Sequence, residues 1–315
     1  MTNQPYQLTQ LGALSANAVQ LIRHRQKHPE LYRPLKFGIP ALEEVIGGIV
    51  LPSYVAIGGS QKRGKTTLAT KIAKELTDVK GGINDQRVVS VGDKEPKPLK
   101  VLYFHLEEVS FQFAVRMMTM ITPTVTRTQI RDLTLTDNDI IELENASAEL
   151  QPNQLFMADS IYTADQMIQM ALDFEAQILI ADTFNLLEDK TGDSDEAKRL
   201  AAVSRKFLKA RNLHGLTSLI VYQLNDVGKS FGTRALGKDA DLILELHGAK
   251  DANKRNIDGQ LSIKVLPSRQ SAGTGSNPIR VLFSGAKNTI EPLNTNTFDF
   301  KEVAEQMGTP PSTGE

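Results

Sequence analysis

The sequence predicts an α/β fold in which a mostly parallel sheet carries helices on both faces. Short runs rich in β-forming residues alternate with segments whose apolar residues recur at helical spacing. One strand-to-helix junction contains a complete phosphate-binding loop pattern, and 40% of the 315 residues are hydrophobic, enough for a sizeable core. Beyond residue 240 strands follow one another without helices, which predicts a C-terminal antiparallel hairpin extension of the sheet.

The alternating part of the chain predicts five strands, near 53–58, 100–105, 154–158, 177–182 and 216–222. It also predicts four helices, at about 65–77, 108–121, 163–175 and 195–213. Thr163 is the expected N-cap of the third helix. The strands of the extension are expected at 241–246, 260–266 and 279–284.

Several segments lie outside this alternation. Residues 11–28 predict an amphipathic helix with a basic end, and Pro29 and Pro34 separate it from the core. Residues 79–99 form a polar insertion, and the last residues have too few apolar side chains to pack and predict disorder. We therefore divide the chain into an N-terminal arm at 1–35, one core domain at 36–295 and a disordered tail at 296–315.

Composition limits the functional classes. The chain has 36 basic and 37 acidic residues, so its overall charge predicts no affinity for nucleic acids or membranes, and any polyanion site must come from a local cluster. There is no cysteine, which excludes disulfides and thiolate metal sites. No apolar run approaches the ~20 residues of a membrane span and no signal-peptide pattern is present, so a cytoplasmic protein without membrane partners is expected.

Residues 59–66, GSQKRGKT, fit the phosphate-binding loop pattern G-x-x-x-x-G-K-[ST] between a β-forming run and a helical one. Gly59 and Gly64 allow the backbone to curl so that N–H groups point at phosphate oxygens. Lys65 supplies a charge for the β- and γ-phosphates, and Thr66 a hydroxyl for Mg²⁺. The predicted nucleoside triphosphate site comprises Gly59, Ser60, Gln61, Lys62, Arg63, Gly64, Lys65, Thr66 and Thr67.

Further polar residues end other predicted strands. Asp182 either binds Mg²⁺, the interpretation that the phosphate loop favours, or caps the element that follows. Glu107 and Glu108 offer a carboxylate to orient water, but acids favoured at a helix N-terminus explain them equally well. Gln223 either senses the γ-phosphate or satisfies turn backbone. His105 is expected to pack within its strand.

Together these residues resemble the RecA-fold ATPases and, within them, the motor domain of the hexameric replicative helicases of the DnaB type. The resemblance covers about residues 36–293. Its lead-in, FGIPALEEVIGG at 37–48, is similar to one shared with RecA and KaiC relatives. The helicase-like segments are LE at 106–107 with VRMM at 115–118, SRKFLK at 204–209 with YQLN at 222–225, DADLIL at 239–244, and SRQSAGTG at 268–275 with VLF at 281–283.

The resemblance implies an ATPase that uses ATP and Mg²⁺, with Glu107 rather than Glu108 as its catalytic carboxylate. It also implies that Arg269 is an arginine finger for a neighbouring subunit, whereas composition alone favours a solvated loop arginine. Two positions depart from the family pattern: Pro267 replaces a lysine and Thr183 a tyrosine. The N-terminal helical collar of bacterial members is not matched, so the chain resembles a phage- or plasmid-type motor without that domain.

The segment 225–238 is glycine-rich, carries three cations and shows no helix signal. In a ring of such motors it would line the channel, so Lys229, Arg234 and Lys238 are the candidate nucleic-acid contacts. The alternative is a surface loop with solvated cations. The acidic loop 187–196 is a poor phosphate binder and is assigned no contact.

The leading hypothesis is an ATP-dependent, ring-forming DNA helicase or translocase motor that acts on single-stranded DNA in replication. The alternatives are a RecA- or KaiC-type ATPase, that is, a recombinase or regulatory ring without unwinding activity, and a nucleotide-gated replication or packaging partner. Expected partners are further copies in a hexameric ring, single-stranded DNA, and a primase, a loader or a single-strand-binding protein.

Overall fold

The computed structural model describes residues 10–78, 87–88, 97–189, 195–224, 233–251, 253–274 and 277–293. The strands of the described residues are β1 (Tyr54–Gly59), β2 (Arg87–Val88), β3 (Lys97–Pro98), β4 (Val101–His105), β5 (Leu155–Ala158), β6 (Ile178–Asp182), β7 (Thr217–Gln223), β8 (Leu242–Lys250), β9 (Asn256–Leu266), β10 (Ile279–Ser284) and β11 (Thr289–Pro292). Their α-helices are α1 (Leu11–Lys27), α2 (Pro40–Ile46), α3 (Lys65–Thr77), α4 (Ser110–Ile121), α5 (Arg127–Asp132), α6 (Asp137–Leu150), α7 (Ala164–Asp173), α8 (Glu196–His214) and α9 (Thr233–Asp239). Short 3-10 helices cover Pro29–Tyr32 and Phe184–Leu186.

Nine strands form one sheet in the order β11-β10-β9-β8-β1-β7-β6-β4-β5, while β2 and β3 form a separate two-stranded antiparallel sheet. Every neighbouring pair from β8 to β5 is parallel, and β9, β10 and β11 pair antiparallel. The predicted fold class, a mostly parallel sheet with an antiparallel C-terminal extension, is confirmed. The C-terminal ends of the parallel strands lie along the same side of the sheet, which is the usual ligand position in such folds. We call this side the carboxyl edge, and we call the opposite side, where the parallel strands begin, the amino edge.

Helices cover both faces of the sheet. In β1, Val55 and Ile57 belong to one apolar core while Tyr54 and Ala56 belong to the other, because successive strand side chains point to opposite faces. The first core includes apolar residues of α3 and α4, and the second includes those of α7 and α8. Burial on both faces explains why the strand sequences read as nearly continuous apolar runs.

The predicted strands and helices all appear near their predicted places, with boundaries that differ by a few residues. The helix expected at 65–77 is α3, with the same limits. Thr163 is the N-cap of α7, since its side chain accepts a hydrogen bond from the backbone N–H of Gln166.

The prediction has no helix between residues 122 and 153, whereas the structure contains α5 and α6 there. Each begins with a capping box, formed by Thr126 with Gln129 and by Thr136 with Asp139. Each pair can be read in the sequence as two polar residues three positions apart. These pairs mark the N-termini of both helices, in a segment where the apolar periodicity is too weak to predict them. The prediction also lacks α2 and β11.

The expectation that residues 225–238 contain no helix is wrong for their second half, which forms α9. Leu236 and Ala240, four residues apart, are both buried in the core that includes α8, and the N–H of Ala240 donates to the carbonyl of Leu236. This apolar pair fixes the helix against the domain. Residues 225–232 lie outside the described residues.

The predicted helix of the N-terminal arm is α1, and none of its residues is buried. It contacts the short helix that follows it, where the His24 ring nitrogen Nδ1 lies 2.9 Å from the Tyr32 hydroxyl. In the described part of the chain, no helix combines the length and apolar character that a membrane span requires. The predicted tail at 296–315 and most of the insertion at 79–99 lie outside the described residues.

Candidate nucleotide-binding site

The glycines of the phosphate-binding loop occupy positions that have no room for a side chain. Gly64, which precedes α3, has φ of 70°, and an added Cβ would lie 3.0 Å from carbons of Leu261 and Phe283. A Cβ on Gly59 would lie 2.9 Å from the carbonyl oxygen of Leu246. The loop can therefore adopt its curved path only with glycine at these positions, and that path suits backbone N–H groups that bind phosphate.

Lys65 begins α3 with its side chain folded into the loop. The residue is 9% exposed, and its ammonium donates a hydrogen bond of 2.9 Å to the carbonyl of Ser60. Burial lowers the pKa of Lys65, while the negative charges of Asp182 and Glu107 act in the opposite direction. The hydrogen bond to the Ser60 carbonyl is one that a β- or γ-phosphate could replace when a nucleotide enters the loop.

A cavity of about 730 Å³ opens over this loop. Seven of the nine predicted nucleotide-binding residues line it, namely Gln61, Lys62, Arg63, Gly64, Lys65, Thr66 and Thr67. The other lining residues come from elsewhere in the chain: Glu107, Glu108, Arg116, Arg127, Thr183, Leu186, Gln223, Phe283, Gly285 and Asn288. Basic side chains outnumber the two acidic ones, which suits a triphosphate. Of the two remaining predicted residues, Gly59 ends β1 and Ser60 follows it.

Asp182 ends β6, directly before the cavity residue Thr183, and is 1% exposed. Its carboxylate accepts a hydrogen bond of 3.1 Å from the Tyr103 hydroxyl, and its Oδ1 lies 3.0 Å from the Thr183 hydroxyl, whose single proton is shared between Asp182 and Glu107. These donors fix the carboxylate and leave oxygen lone pairs for a cation. Among the described residues no group of three or more His, Asp or Glu could hold a metal ion alone. Thr66 and Asp182 therefore fit Mg²⁺ only together with nucleotide phosphates and water.

The two adjacent carboxylates have different surroundings. Glu107 is exposed, and its Oε1 accepts a hydrogen bond of 2.8 Å from the Thr183 hydroxyl. Glu108 instead pairs with the guanidinium of Arg116, which is 6% exposed. Although burial alone would raise it, the hydrogen bond and charge of Arg116 hold the pKa of Glu108 below its usual range. This arrangement favours Glu107 as the carboxylate that can act on a water molecule.

His105 helps to hold Glu108 in place, consistent with the structural role expected for it. Its Nδ1 accepts a hydrogen bond of 3.0 Å from the backbone N–H of Glu108, so the ring proton of the neutral form lies on Nε2. The ring also stacks on Tyr103 with 6.0 Å between centroids.

Gln223 ends β7 at the carboxyl edge and lines the cavity, as its predicted γ-phosphate role requires. Its backbone N–H donates a hydrogen bond of 2.8 Å to the side-chain oxygen of Asn185. Asn185 is in turn held by Arg199, whose guanidinium donates to the Asn185 carbonyl at 3.2 Å. Asn185 therefore ties the chain after β6 to the end of β7.

Sequence analysis did not identify several residues of the cavity wall. Arg116 donates a hydrogen bond of 2.9 Å to the side chain of Asn288, and Arg127 approaches the same oxygen at 3.5 Å. Phe283 lies against Gly64. These residues come from α4, α5 and the β10–β11 region, far apart in sequence, and only the VRMM and VLF motifs pointed to any of them.

Arg269 follows β9 at the amino edge, opposite the cavity. Its neighbour Gln270 donates its backbone N–H to the carbonyl of Asp241, and the Asp241 carboxylate accepts the N–H of Tyr54, the first residue of β1. The phosphate-binding loop begins at the other end of β1. This strand of six residues is about 17 Å long. An arginine side chain cannot span that distance to the loop of its own chain.

The three predicted nucleic-acid contacts differ in what the structure describes. Lys229 lies outside the described residues, and Arg234 lies in α9 without a described side chain. Lys238 is exposed in the last turn of α9. The structure therefore places one of the three predicted cations at the surface.

A protein-family description, "DnaB-like helicase C terminal domain", matches residues 35–229 of the chain. Among curated proteins none matches.

Solved structures give the same fold. The chain is similar to the ATPase domain of G40P, with a TM-score of 0.74 and 14% identity over 90% of this chain and 100% of that one. It is similar to a DnaB-like replicative helicase described with its interactions with primase, with a TM-score of 0.68 and 15% identity over 92% and 68%. A KaiC-like protein from Pyrococcus horikoshii OT3 is similar with a TM-score of 0.53 and 16% identity over 84% and 100%. The predicted RecA-like core is thereby confirmed.

Proposed function

Since the chain belongs to the DnaB-like helicase C-terminal domain family, matched over residues 35–229, we propose that this replicative helicase-type ATPase is a ring-forming motor. The motor hydrolyses ATP with Mg²⁺ and translocates on single-stranded DNA to separate strands in replication. The observation that carries the proposal is that the candidate residues for ATP hydrolysis lie at two opposite edges of the sheet. One chain holds a nucleotide cavity at its carboxyl edge and its candidate finger, Arg269, at its amino edge.

The carboxyl edge supplies everything for hydrolysis except a finger. Lys65 holds the β- and γ-phosphates, and Thr66 with Asp182 holds Mg²⁺. Glu107 orients the attacking water, since it is exposed at the cavity and is bonded only to the Thr183 hydroxyl among the contacts described. Gln223 contacts the γ-phosphate from the end of β7.

The test of the motor is a forked-DNA unwinding assay with ATP, run beside a strand-exchange assay on the same preparation. Unwinding without strand exchange is the expected result. Strand exchange without unwinding, or ATP hydrolysis with neither activity, would contradict it and favour a RecA- or KaiC-type ATPase. Lys65→Ala protein is the control, because any unwinding that it retains comes from a contaminant.

Arg269 acts on the neighbouring subunit in this proposal, since its own phosphate-binding loop is about a strand length away. Arg269→Ala should bind nucleotide almost normally but hydrolyse it more slowly by on the order of 10³. Arg255→Ala is the matched control, because Arg255 is an exposed arginine of the β8–β9 hairpin region that pairs with Asp251. It should retain full activity.

Mixing Arg269→Ala with Lys65→Ala protein tests action between subunits. Some interfaces of a mixed assembly would combine an intact loop from the first variant with an intact Arg269 from the second. Partial recovery of hydrolysis on mixing is expected. Absence of recovery, together with a monomeric Arg269→Ala protein of full activity, would refute the finger.

Two partner surfaces complete the proposal. The exposed apolar residues of α1, among them Leu11, Leu14 and Ile22, pack on an adjacent subunit of the hexamer. Lys229, Arg234 and Lys238 contact the phosphates of single-stranded DNA in the channel. A primase is a further proposed partner, because one structural neighbour is described with its interactions with primase.

A further inference from the structure

The guanidinium of Arg269 has two partners in its own chain. It donates a hydrogen bond of 3.3 Å to the carbonyl of Lys238, the penultimate residue of α9. It also lies 3.8 Å from Oδ1 of Asp241, a carboxylate that is only 1% exposed. The Arg269 side chain itself is 51% exposed. A half-exposed arginine is thus held loosely on a buried acid.

Asp241 is fixed independently of Arg269. Its Oδ2 accepts a hydrogen bond of 2.9 Å from the backbone N–H of Tyr54 and lies 2.7 Å from Nε of Arg211 in α8. The Arg211 contact is ionic rather than a well-directed hydrogen bond, since Nε has no partner of suitable geometry. The Asp241 carboxylate therefore interacts with two arginines, Arg211 and Arg269. Removing one of them should strengthen the electrostatic attraction between the carboxylate and the other.

The base of the Arg269 side chain is also fixed. Gln270 donates its backbone N–H to the carbonyl of Asp241 at 3.0 Å and its side-chain amide to the Ser53 hydroxyl at 2.9 Å. The backbone N–H of Ser268 donates to the carbonyl of Ser271 at 2.8 Å. The backbone around Arg269 is therefore anchored at the amino edge, whereas the two described contacts of its guanidinium are long, at 3.3 and 3.8 Å.

We propose that Asp241 and the Lys238 carbonyl form a dock that holds Arg269 in its own subunit and competes with the neighbouring subunit's nucleotide. Asp241 is then a positioning residue that acts through Arg269. This inference rests on the proposed function, because the competition matters only if Arg269 reaches a neighbour's phosphates.

The dock also connects the candidate DNA-binding segment to hydrolysis. Lys238 is one of the three proposed DNA contacts, and its carbonyl is one of the two partners of Arg269. The next residue, Asp239, accepts a hydrogen bond of 2.8 Å from the Ser204 hydroxyl of α8, so α9 is attached at the same place. DNA binding that shifts the end of α9 loosens the Lys238 contact and releases Arg269 toward the neighbour.

Two substitutions at the dock should change hydrolysis in opposite directions. Asp241→Asn keeps an acceptor for the Tyr54 N–H but removes the charge that holds Arg269, so ATP hydrolysis without DNA should rise about two- to fivefold. Arg211→Gln leaves Arg269 as the remaining arginine on the buried carboxylate, so hydrolysis without DNA should fall by a similar factor. Arg211→Lys, which keeps the charge, should behave like the wild type.

Steady-state ATP hydrolysis is measured with and without a mixed-sequence single-stranded oligonucleotide, and thermal unfolding is recorded for every variant. Stimulation by DNA should shrink in Asp241→Asn and grow in Arg211→Gln. In an Arg269→Ala background neither substitution should have a further effect. If the two residues have a merely structural role, both variants should lose stability and ATP hydrolysis together, and that result would overturn the dock. If Asp241→Asn folds poorly, the hydrolysis rate of Arg211→Gln alone decides, because the dock predicts a lower rate without DNA and a larger stimulation by DNA for that variant.

The failure of the dock and the failure of the proposed function look different. If Arg269→Ala slows hydrolysis but the two dock variants change it in the same direction, the dock alone is refuted. If Arg269→Ala leaves hydrolysis unchanged, the finger and the dock are refuted together.

Discussion

Glu107→Gln and Glu108→Gln form a matched pair of substitutions on adjacent residues with different expected consequences. In the Glu107→Gln variant, the side-chain amide oxygen can still accept the hydrogen bond that the Thr183 hydroxyl donates, at 2.8 Å in the wild type. Only the charge that we propose to orient or deprotonate water is lost. We therefore expect nucleotide binding and thermal stability close to wild type, with kcat lower by about 10²–10⁴.

Glu108→Gln should instead destabilise the domain. Breaking a fully buried ion pair costs about 3–5 kcal/mol. The Glu108 side chain is 23% exposed and glutamine can still accept a hydrogen bond from Arg116, so we expect a loss of about 1–3 kcal/mol. At about 3 °C per kcal/mol for a domain of this size, Tm should fall by about 3–9 °C. Hydrolysis by the folded protein should change much less than in Glu107→Gln.

The pH dependence of Tm provides an independent check on Glu108. The folded state holds its pKa below the ordinary value of 4.5, so the stabilisation is present above pH 4.5 and is lost as the pH falls through the folded pKa. The Tm difference between wild type and Glu108→Gln should therefore be complete at pH 7 and shrink below about pH 4.5.

The assays are steady-state ATP hydrolysis, equilibrium binding of a fluorescent ATP analogue and thermal unfolding, all on the same preparations. An inactive Glu108→Gln protein of normal stability, together with an active Glu107→Gln protein, would show that the assignment of the two carboxylates is reversed.

Three further predictions follow from the site and the arm. Lys65→Ala should abolish hydrolysis because it removes the charge that binds the β- and γ-phosphates, whereas Lys74→Ala, a control in the same helix whose lysine pairs with Asp78, should remain active. Asn185→Ala removes the acceptor of the Gln223 N–H and should lower kcat about fivefold, as the loss of about 1 kcal/mol implies; a change in nucleotide affinity at normal kcat would contradict this. Deleting residues 1–30 should dissociate the assembly, measured as mass by sedimentation, because α1 is expected to pack on another subunit; a hexamer that survives the deletion would refute that role.

The parts of the fold that could be predicted from the sequence are those in which the apolar or glycine pattern of a segment matches its burial and backbone conformation in the folded domain. Buried parallel strands read as apolar runs, and the phosphate-binding loop requires glycine and lysine at fixed spacing. The structure follows both signals, since β1 and α3 flank the loop as predicted. In α5 and α6 the apolar pattern is weak and the caps carry the signal, so periodicity alone failed to find them.

The contacts that distinguish residues within the site required the three-dimensional structure. Nothing in the local sequence says that Arg116 pairs with Glu108, because the contact depends on how α4 lies over the end of β4. Asn288 reaches the same arginine from the β10–β11 turn, 172 positions further along the chain. Long-range pairs of this kind depend on how distant segments pack, so they cannot be predicted from a single sequence.

The direction of β9 determines how subunits must associate if Arg269 is a finger. Because β9 runs antiparallel to β8, its end returns to the amino edge, and Arg269 faces away from the cavity of its own chain. Each subunit therefore presents a cavity on one side and a finger on the other. Such an interface is head-to-tail and gives a closed ring when the rotation between subunits closes and a helical filament when it does not. Electron microscopy of the protein with a non-hydrolysable ATP analogue distinguishes the two. Closed rings are expected, and a two-fold symmetric dimer that places the two cavities face to face would exclude a finger at Arg269.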